Sequence, residues 1–140
     1  MAEVSADALA ASPRQPRQEP PDSAALAQLA AEACDDRKAG EIVLIRVDKV
    51  AYLTDWFVIC SGGSPVQVRA IARSVEEKLN EQARRRPLRL EGISEGRWVL
   101  LDYGELIVHV MGTQERRFYD LEGFWSHGDL HPYQPTAETP

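Results

Sequence analysis

The chain has 140 residues, of which 44 % are hydrophobic and 27 % are charged, proportions typical of a soluble globular protein. This length suits one domain, and no apolar run approaches the roughly 18 residues that a membrane-spanning helix needs. The formal net charge of −6 disfavours binding to a nucleic-acid backbone and favours a basic partner. Two cysteines are typical of a reduced cytoplasmic protein rather than of a secreted disulfide scaffold.

Both ends of the chain have the composition of tails. Residues 1–11 lack the basic leader and apolar core of a secretory signal. Residues 13–21 hold four of the nine prolines, and so polar a stretch cannot bury enough apolar area to offset its ordering entropy. The C-terminal end is also rich in proline and shows no periodicity. The predicted divisions are a disordered tail over 1–20, one domain over 21–127 and a flexible tail over 128–140.

The first predicted element is a helix that begins at Asp22-Ser23, both good N-cap residues. Its apolar positions repeat at helical spacing, and Gly40 is a suitable stop. Cys34 lies on the apolar face of this helix. That position favours a small buried side chain over a reactive thiol.

Two strands and a second helix follow. Residues 42–47 are almost continuously apolar, which predicts a strand covered on both faces by helices, and residues 57–60 predict the next strand. Ser64 is an N-cap residue, Pro65 suits the first helical position, and Gln67 completes a capping box. A helix with one apolar stripe is therefore expected after Ser64.

The remainder of the chain is rich in predicted strands, over 88–90, 98–101 and 106–111. The last two are joined by a four-residue connection that contains glycine, which is a hairpin signal. Residues 116–125 predict a final helix. The order α-β-β-α-β-β-β-α indicates an α/β (α+β) single domain, with a mixed β-sheet of about five strands flanked by helices.

A glycine-rich loop, residues 61–64 (SGGS), lies between a strand and a helix, where backbone N–H groups can bind an anion. The loop lacks the Lys-Ser/Thr pair of a P-loop and the G-x-G-x-x-G fingerprint. A nucleotidyltransferase has a more similar arrangement, but it needs two metal-binding carboxylates on a strand just downstream. The acids found there, Glu76 and Glu77, are adjacent on a helix and point about 100° apart. A capped helix start is the favoured interpretation.

The three histidines give no support for catalysis. His109 shares a strand face with Ile107 and Met111, which favours a packed, hydrogen-bonded side chain. His127 and His131 lie near the end of the chain and have no cysteine nearby. No Ser-His-Asp or Cys-His arrangement follows from the spacing. We therefore expect no enzymatic activity, no cofactor and no metal.

Aromatic residues are concentrated in the C-terminal half. A helix over 116–125 cannot bury all of its rings, because Tyr119 and Phe124 lie off the stripe formed by Phe118, Leu121 and Trp125. Exposed aromatic side chains beside arginines are typical of a protein interface. The alternative, that some of these rings cap a small core, remains open. The aromatic residues concerned are Trp98, Tyr103, Phe118, Tyr119, Phe124 and Trp125.

Four segments of the chain form a characteristic set: TDWFVICSG (54–62), GRWVLLDYG (96–104), IVHVM (107–111) and RFYDLEGFW (117–125). Together they resemble the ribosomal silencing factor family, also called Iojap-like proteins. The resemblance extends from about Ser23 to Trp125, with the motifs in order. It implies a nucleotidyltransferase-like fold that has lost its catalytic carboxylates, in agreement with the missing acids.

The resemblance also implies a function. Members of this family bind the large ribosomal subunit through its fourteenth large-subunit protein, block association with the small subunit and reduce translation when nutrients are limiting. An acidic domain suits a basic ribosomal protein. Trp98 and Trp125 are the expected anchors, and Glu122 is expected to pair with a ribosomal Lys or Arg. The docking residues implied by the matching motifs are Trp98, Tyr103, Gly104, His109, Arg117, Tyr119, Leu121, Glu122 and Trp125.

Two alternatives from other classes stay open. One is an active nucleotidyltransferase-like enzyme, against which the absent carboxylates argue. The other is a homodimeric adaptor module. Separately, the free form of a silencing factor is also a possible homodimer. We expect a cytoplasmic protein without membrane contact and without direct sequence-specific binding to nucleic acid.

Overall fold

One mixed β-sheet organises residues 23–135, the part of the chain that the computed structural model describes. This range contains four helices and six strands. The helices are α1 (Ser23–Asp36), α2 (Pro65–Ala83), α3 (Thr113–Tyr119) and α4 (Leu121–Phe124). The strands are β1 (Gly40–Arg46), β2 (Trp56–Gly62), β3 (Arg89–Glu91), β4 (Trp98–Asp102), β5 (Leu106–Gly112) and β6 (Asp129–Pro132).

The strands lie in the order β3-β4-β5-β2-β1-β6. The central pair, β2 and β5, is parallel, and every other neighbouring pair is antiparallel. Parallel neighbours need a crossover connection, which α2 and the β3–β4 hairpin provide here. The predicted mixed sheet with flanking helices is confirmed, with six strands where about five were expected.

The two faces of the sheet carry different cores. α1 and α2 cover the first face, and Cys34 is fully buried there, as predicted from its helical position. Along β5, Val108 and Val110 point to this face, whereas Ile107 and Met111 point to the second. The second core is smaller, because only α3 and α4 lie over it. No helix within residues 23–135 has the length and hydropathy needed to cross a membrane.

The C-terminal end corrects one prediction. β6 pairs antiparallel with β1, with His131 opposite Leu44 and Asp129 opposite Arg46, so the flexible tail predicted over 128–140 is wrong for residues 129–132. All four residues of β6 are exposed. Main-chain hydrogen bonds to the edge of β1 hold this strand, and such bonds leave no apolar pattern in the sequence. The tail predicted over 1–20 lies outside the described residues.

The final helix is also different from the prediction. Asp120 adopts a left-handed conformation, with φ of 46° and ψ of 59°, and ends α3. Its carboxylate then accepts a hydrogen bond from the N–H of Gly123 and caps α4. The single helix predicted over 116–125 is therefore two short helices. Phe118, expected on the buried stripe, is 79 % exposed.

α2 begins at the predicted residues, but the predicted capping box is altered, because Gln67 binds the N–H of Gly63 rather than that of Ser64. Ser64 is the N-cap, and its hydroxyl accepts a hydrogen bond from the N–H of Gln67 at 3.1 Å. The amide oxygen of Gln67 in turn accepts from the N–H of Gly63 at 2.7 Å. Pro65 occupies the first turn, where its missing N–H leaves nothing unpaired.

Replacing the cap tests this local assignment. Ser64→Ala removes the acceptor for the N–H of Gln67 and should lower the free energy of unfolding by about 1 kcal/mol. Chemical denaturation measures the change. Ser94→Ala is the control, since Ser94 is exposed and its hydroxyl makes no hydrogen bond among the described residues. Equal losses in the two variants would contradict the cap.

Candidate functional site

Seven rings form a continuous run across the second face of the sheet, which we call the aromatic arc. Each ring centroid lies 4.9–5.9 Å from the next, with interplanar angles of 48–86°. These tilted and edge-on contacts are the geometry that aromatic pairs prefer. From α3 to α4, the rings are those of Phe118, Tyr119, Trp98, His109, Phe57, Trp125 and Phe124.

The arc is exposed at its two ends and buried in the middle. Phe118 and Phe124 are 79 % and 76 % exposed, whereas Phe57 and His109 are buried. The exposure arises because α3 and α4 are only seven and four residues long and cannot cover a whole sheet face. Exposed aromatic side chains supported by a buried aromatic layer are typical of interaction sites. The arc is therefore the candidate functional site.

His109 is the central residue of the arc. The indole Nε1–H of Trp98 donates a hydrogen bond to its Nδ1 at 3.0 Å, and the ring lies between those of Trp98 and Phe57. Burial penalises the charged imidazolium and lowers the pKa of His109 from 6.5 to about 4. The predicted packed, hydrogen-bonded histidine is confirmed.

Tyr103 and Gly104 lie elsewhere. The Tyr103 side chain is 1 % exposed and belongs to the core of the first face. Gly104 forms the turn between β4 and β5 with φ of 94°, and its carbonyl accepts a hydrogen bond from the Thr54 hydroxyl at 2.9 Å. A buried ring cannot reach a docked partner, and the glycine is required by the turn. Both residues therefore lie outside the aromatic arc, and Tyr103 belongs to the core.

Glu122 has a partner within the chain. Its Oε2 accepts hydrogen bonds from Nε and Nη2 of Arg116 at 3.0 and 2.5 Å. The Arg116 side chain is only 8 % exposed, and its Nη1 also donates to the carbonyl of Gly40 at 3.2 Å. These contacts tie α3, α4 and the start of β1 together. Spacing did not reveal the pair, because the two residues lie on opposite sides of the break at Asp120.

The remaining predicted residues divide between core and surface. Leu121 is half-buried and packs against the second core, as do Trp98 and Trp125. Arg117 is exposed and lines a cavity of about 490 Å³ together with Arg97 and the glycine-rich loop. Phe118 and Phe124 were missing from the predicted docking set, although both belong to the arc. Phe124 had a signal in the sequence, its position off the predicted buried stripe, whereas Phe118 was predicted to lie on that stripe and had no such signal.

No group of three or more His, Cys, Asp or Glu side chains that could hold a metal ion occurs within residues 23–135. Glu76 pairs instead with Arg73, at 3.0 Å on the same helix. In the glycine-rich loop, the N–H of Gly63 is already bound to Gln67. The geometry of this region is that of a capped helix start.

Comparison with known proteins identifies similar chains. Residues 20–139 match a family described as "Ribosomal silencing factor during starvation". The ribosomal silencing factor RsfS of Bacillus subtilis is 39 % identical over 103 residues, which are 74 % of this chain and 86 % of that protein. Residues 20–139, which match the family, contain every residue of the aromatic arc.

Two solved structures have a similar fold. A protein from Chromobacterium violaceum has a TM-score of 0.73 and 33 % identity, covering 85 % of this chain and 94 % of that chain. A protein from Bacillus halodurans has a TM-score of 0.66 and 40 % identity, covering 76 % and 95 %.

The ion pair of Arg116 should contribute to stability. Glu122→Gln leaves the buried guanidinium without its counter-charge and should lower the free energy of unfolding by about 2 kcal/mol. Denaturant titration at pH 7 measures the loss. Glu77→Gln is a matched control, because it makes the same chemical change at an exposed residue on α2. If both variants were equally stable, the pair would be energetically unimportant.

The neutral state of His109 should make stability depend on pH. The unfolded chain takes up this proton near pH 6.5, whereas the folded protein resists it down to about pH 4. Acidification through that window therefore favours unfolding, by up to about 3 kcal/mol. His109→Gln removes the titrating group, so subtracting its pH profile from that of the wild type isolates this contribution. Parallel profiles would contradict the assignment.

Proposed function

Because the chain belongs to the ribosomal silencing factor family, we propose that it binds the large ribosomal subunit and blocks association with the small subunit. The proposed contact is the fourteenth large-subunit protein, and the proposed outcome is reduced translation in the cytoplasm under nutrient limitation. The aromatic arc is the observation that carries the proposal. It supplies an apolar docking surface on the one sheet face that the helices leave partly open.

The arc is built to bind without rearrangement. Trp98 and Trp125 are half-buried and braced from below by His109 and Phe57. Rings held in this way lose little conformational freedom when a partner docks, which favours affinity. Large aromatic side chains are also the residues that most often dominate interface energetics. The two tryptophans are therefore proposed as anchors, with Tyr119 and Phe124 beside them.

Charge supports a basic protein as the partner. The chain carries a net charge of −6, and a domain of this sign is attracted to a basic protein surface and repelled by exposed phosphates. Glu122 contributes less directly than expected, since one of its oxygens already binds Arg116. A charge reversal at Glu122 would break that ion pair as well as alter docking. It therefore does not separate binding from stability.

The proposed mechanism is steric exclusion. A protein bound at the surface where the subunits meet prevents their joining for as long as it stays bound, and no chemical step is required. The nucleotidyltransferase alternative needs two convergent carboxylates beside the glycine-rich loop. In the structure Glu76 binds Arg73, and Glu77 is exposed on another side of α2.

The exposed ends of the arc provide the cleanest test of docking. Phe118→Ala and Phe124→Ala remove rings that contribute little to the core, so each should weaken binding by about tenfold or more with almost unchanged stability. Co-sedimentation with isolated large subunits measures the affinity.

Leu88→Ala is the matched control for these variants. Leu88 is 72 % exposed. It lies between α2 and the edge strand β3, away from the arc. Its loss should leave binding unchanged. If all three variants bound like the wild type, the arc would not be the docking surface.

The order of addition tests steric exclusion. Protein added to separated subunits should inhibit translation, with saturation near one copy per large subunit, whereas protein added to joined ribosomes should inhibit much less. Inhibition assays at increasing protein concentration give the stoichiometry. Full inhibition at substoichiometric amounts would indicate turnover and contradict the mechanism.

A further inference from the structure

The two ring nitrogens of His109 have different environments. Nδ1 accepts the hydrogen bond from Trp98 Nε1 at 3.0 Å. An indole N–H can donate but never accept, so Nδ1 must present a lone pair, and the proton of the neutral ring lies on Nε2. Trp98 therefore selects one tautomer of His109.

The Nε2 atom of His109 is not sealed inside the protein. Within residues 23–135 it makes no hydrogen bond, yet the only buried side-chain nitrogen or oxygen without a partner in that range is the Tyr103 hydroxyl. Nε2 therefore keeps some contact with solvent, although His109 as a whole is only 7 % exposed. Its neighbours Phe57 and Trp98 offer it no conventional acceptor.

We propose that His109 Nε2–H donates a hydrogen bond to a neutral carbonyl oxygen of the docked ribosomal protein, an inference that rests on the proposed function. A partner that covers the arc removes the water around Nε2, and an unpaired donor would then cost binding free energy. The partner must place an acceptor at this point. His109 is thus a specificity-determining residue at the centre of an otherwise apolar surface.

The acceptor is a neutral oxygen rather than a carboxylate. A carboxylate against Nε2 would favour the doubly protonated imidazolium, and the second proton would have to sit on Nδ1. That position is occupied by the Trp98 hydrogen bond. A carbonyl oxygen accepts from Nε2–H without changing the charge of the ring. It also fits a partner whose overall charge is basic.

Two substitutions separate the nitrogens. In His109→Asn the side-chain oxygen takes the place of Nδ1 and can still accept from Trp98, but the donor at Nε2 is lost. In His109→Gln the side-chain NH₂ reaches the place of Nε2 and keeps the donor, while the acceptor for Trp98 is lost. Docking to isolated large subunits should be about tenfold weaker for the Asn variant and clearly less weakened for the Gln variant, which keeps the donor but no longer holds Trp98 by a hydrogen bond.

Each outcome decides a different point. Equal affinity of folded His109→Asn and wild type, or equal losses in both variants, would overturn the inference and leave the proposed function intact. A wild-type protein that does not bind large subunits would overturn the proposed function and this inference with it. Unfolding curves for each variant show whether the protein being measured is folded.

Nitrogen-15 NMR of the wild-type imidazole tests the tautomer without any substitution. It should show a protonated Nε2 and an unprotonated Nδ1, and a proton on Nδ1 would overturn the inference. In the complex with the isolated ribosomal protein, the Nε2 proton should exchange with water more slowly than in the free protein. Unchanged exchange in a formed complex would also overturn it.

Discussion

α1 and α2, 14 and 19 residues long, cover one face of the sheet, whereas the opposite face has only α3 and α4, of seven and four residues. The sizes of the two cores and the exposure of the aromatic arc both depend on this unequal covering of the sheet. The well-covered face can bury a large apolar core with few polar groups. The other face must leave apolar side chains in contact with water, and aromatic rings that brace one another occupy it.

The break at Asp120 determines how those rings are presented. A single straight helix would place residues three and four apart on one face, which would bury some rings and turn others away from the sheet. The left-handed residue instead redirects the chain, so that Phe118 and Phe124 mark the two ends of the arc. Arg116 holds the two short helices in this arrangement through Glu122 and the carbonyl of Gly40.

The hydrogen bond between Trp98 and His109 links packing to chemistry. It orients the largest half-buried ring of β4, and it keeps the imidazole neutral in a site where burial already disfavours charge. This hydrogen bond thus contributes to the second core and also determines which ring nitrogen of His109 carries the proton. A leucine at position 109 would fill the space, but it would provide neither the acceptor for Trp98 nor a donor toward a partner.

Local signals in the sequence determined the start of α2 at Ser64, the alternation of side chains along β5 and the order of all elements up to β5. Each of these features depends on residues that are close together in the chain. The family resemblance supplied the predicted docking residues by motif. Only the tertiary structure separated Tyr103 in the core from Trp98 and Tyr119 in the arc. It also added β6 and the pairing of Arg116 with Glu122. These features depend on strand pairing, on a chain reversal and on which sheet face a helix happens to cover, and such long-range contacts leave no periodic pattern in the sequence.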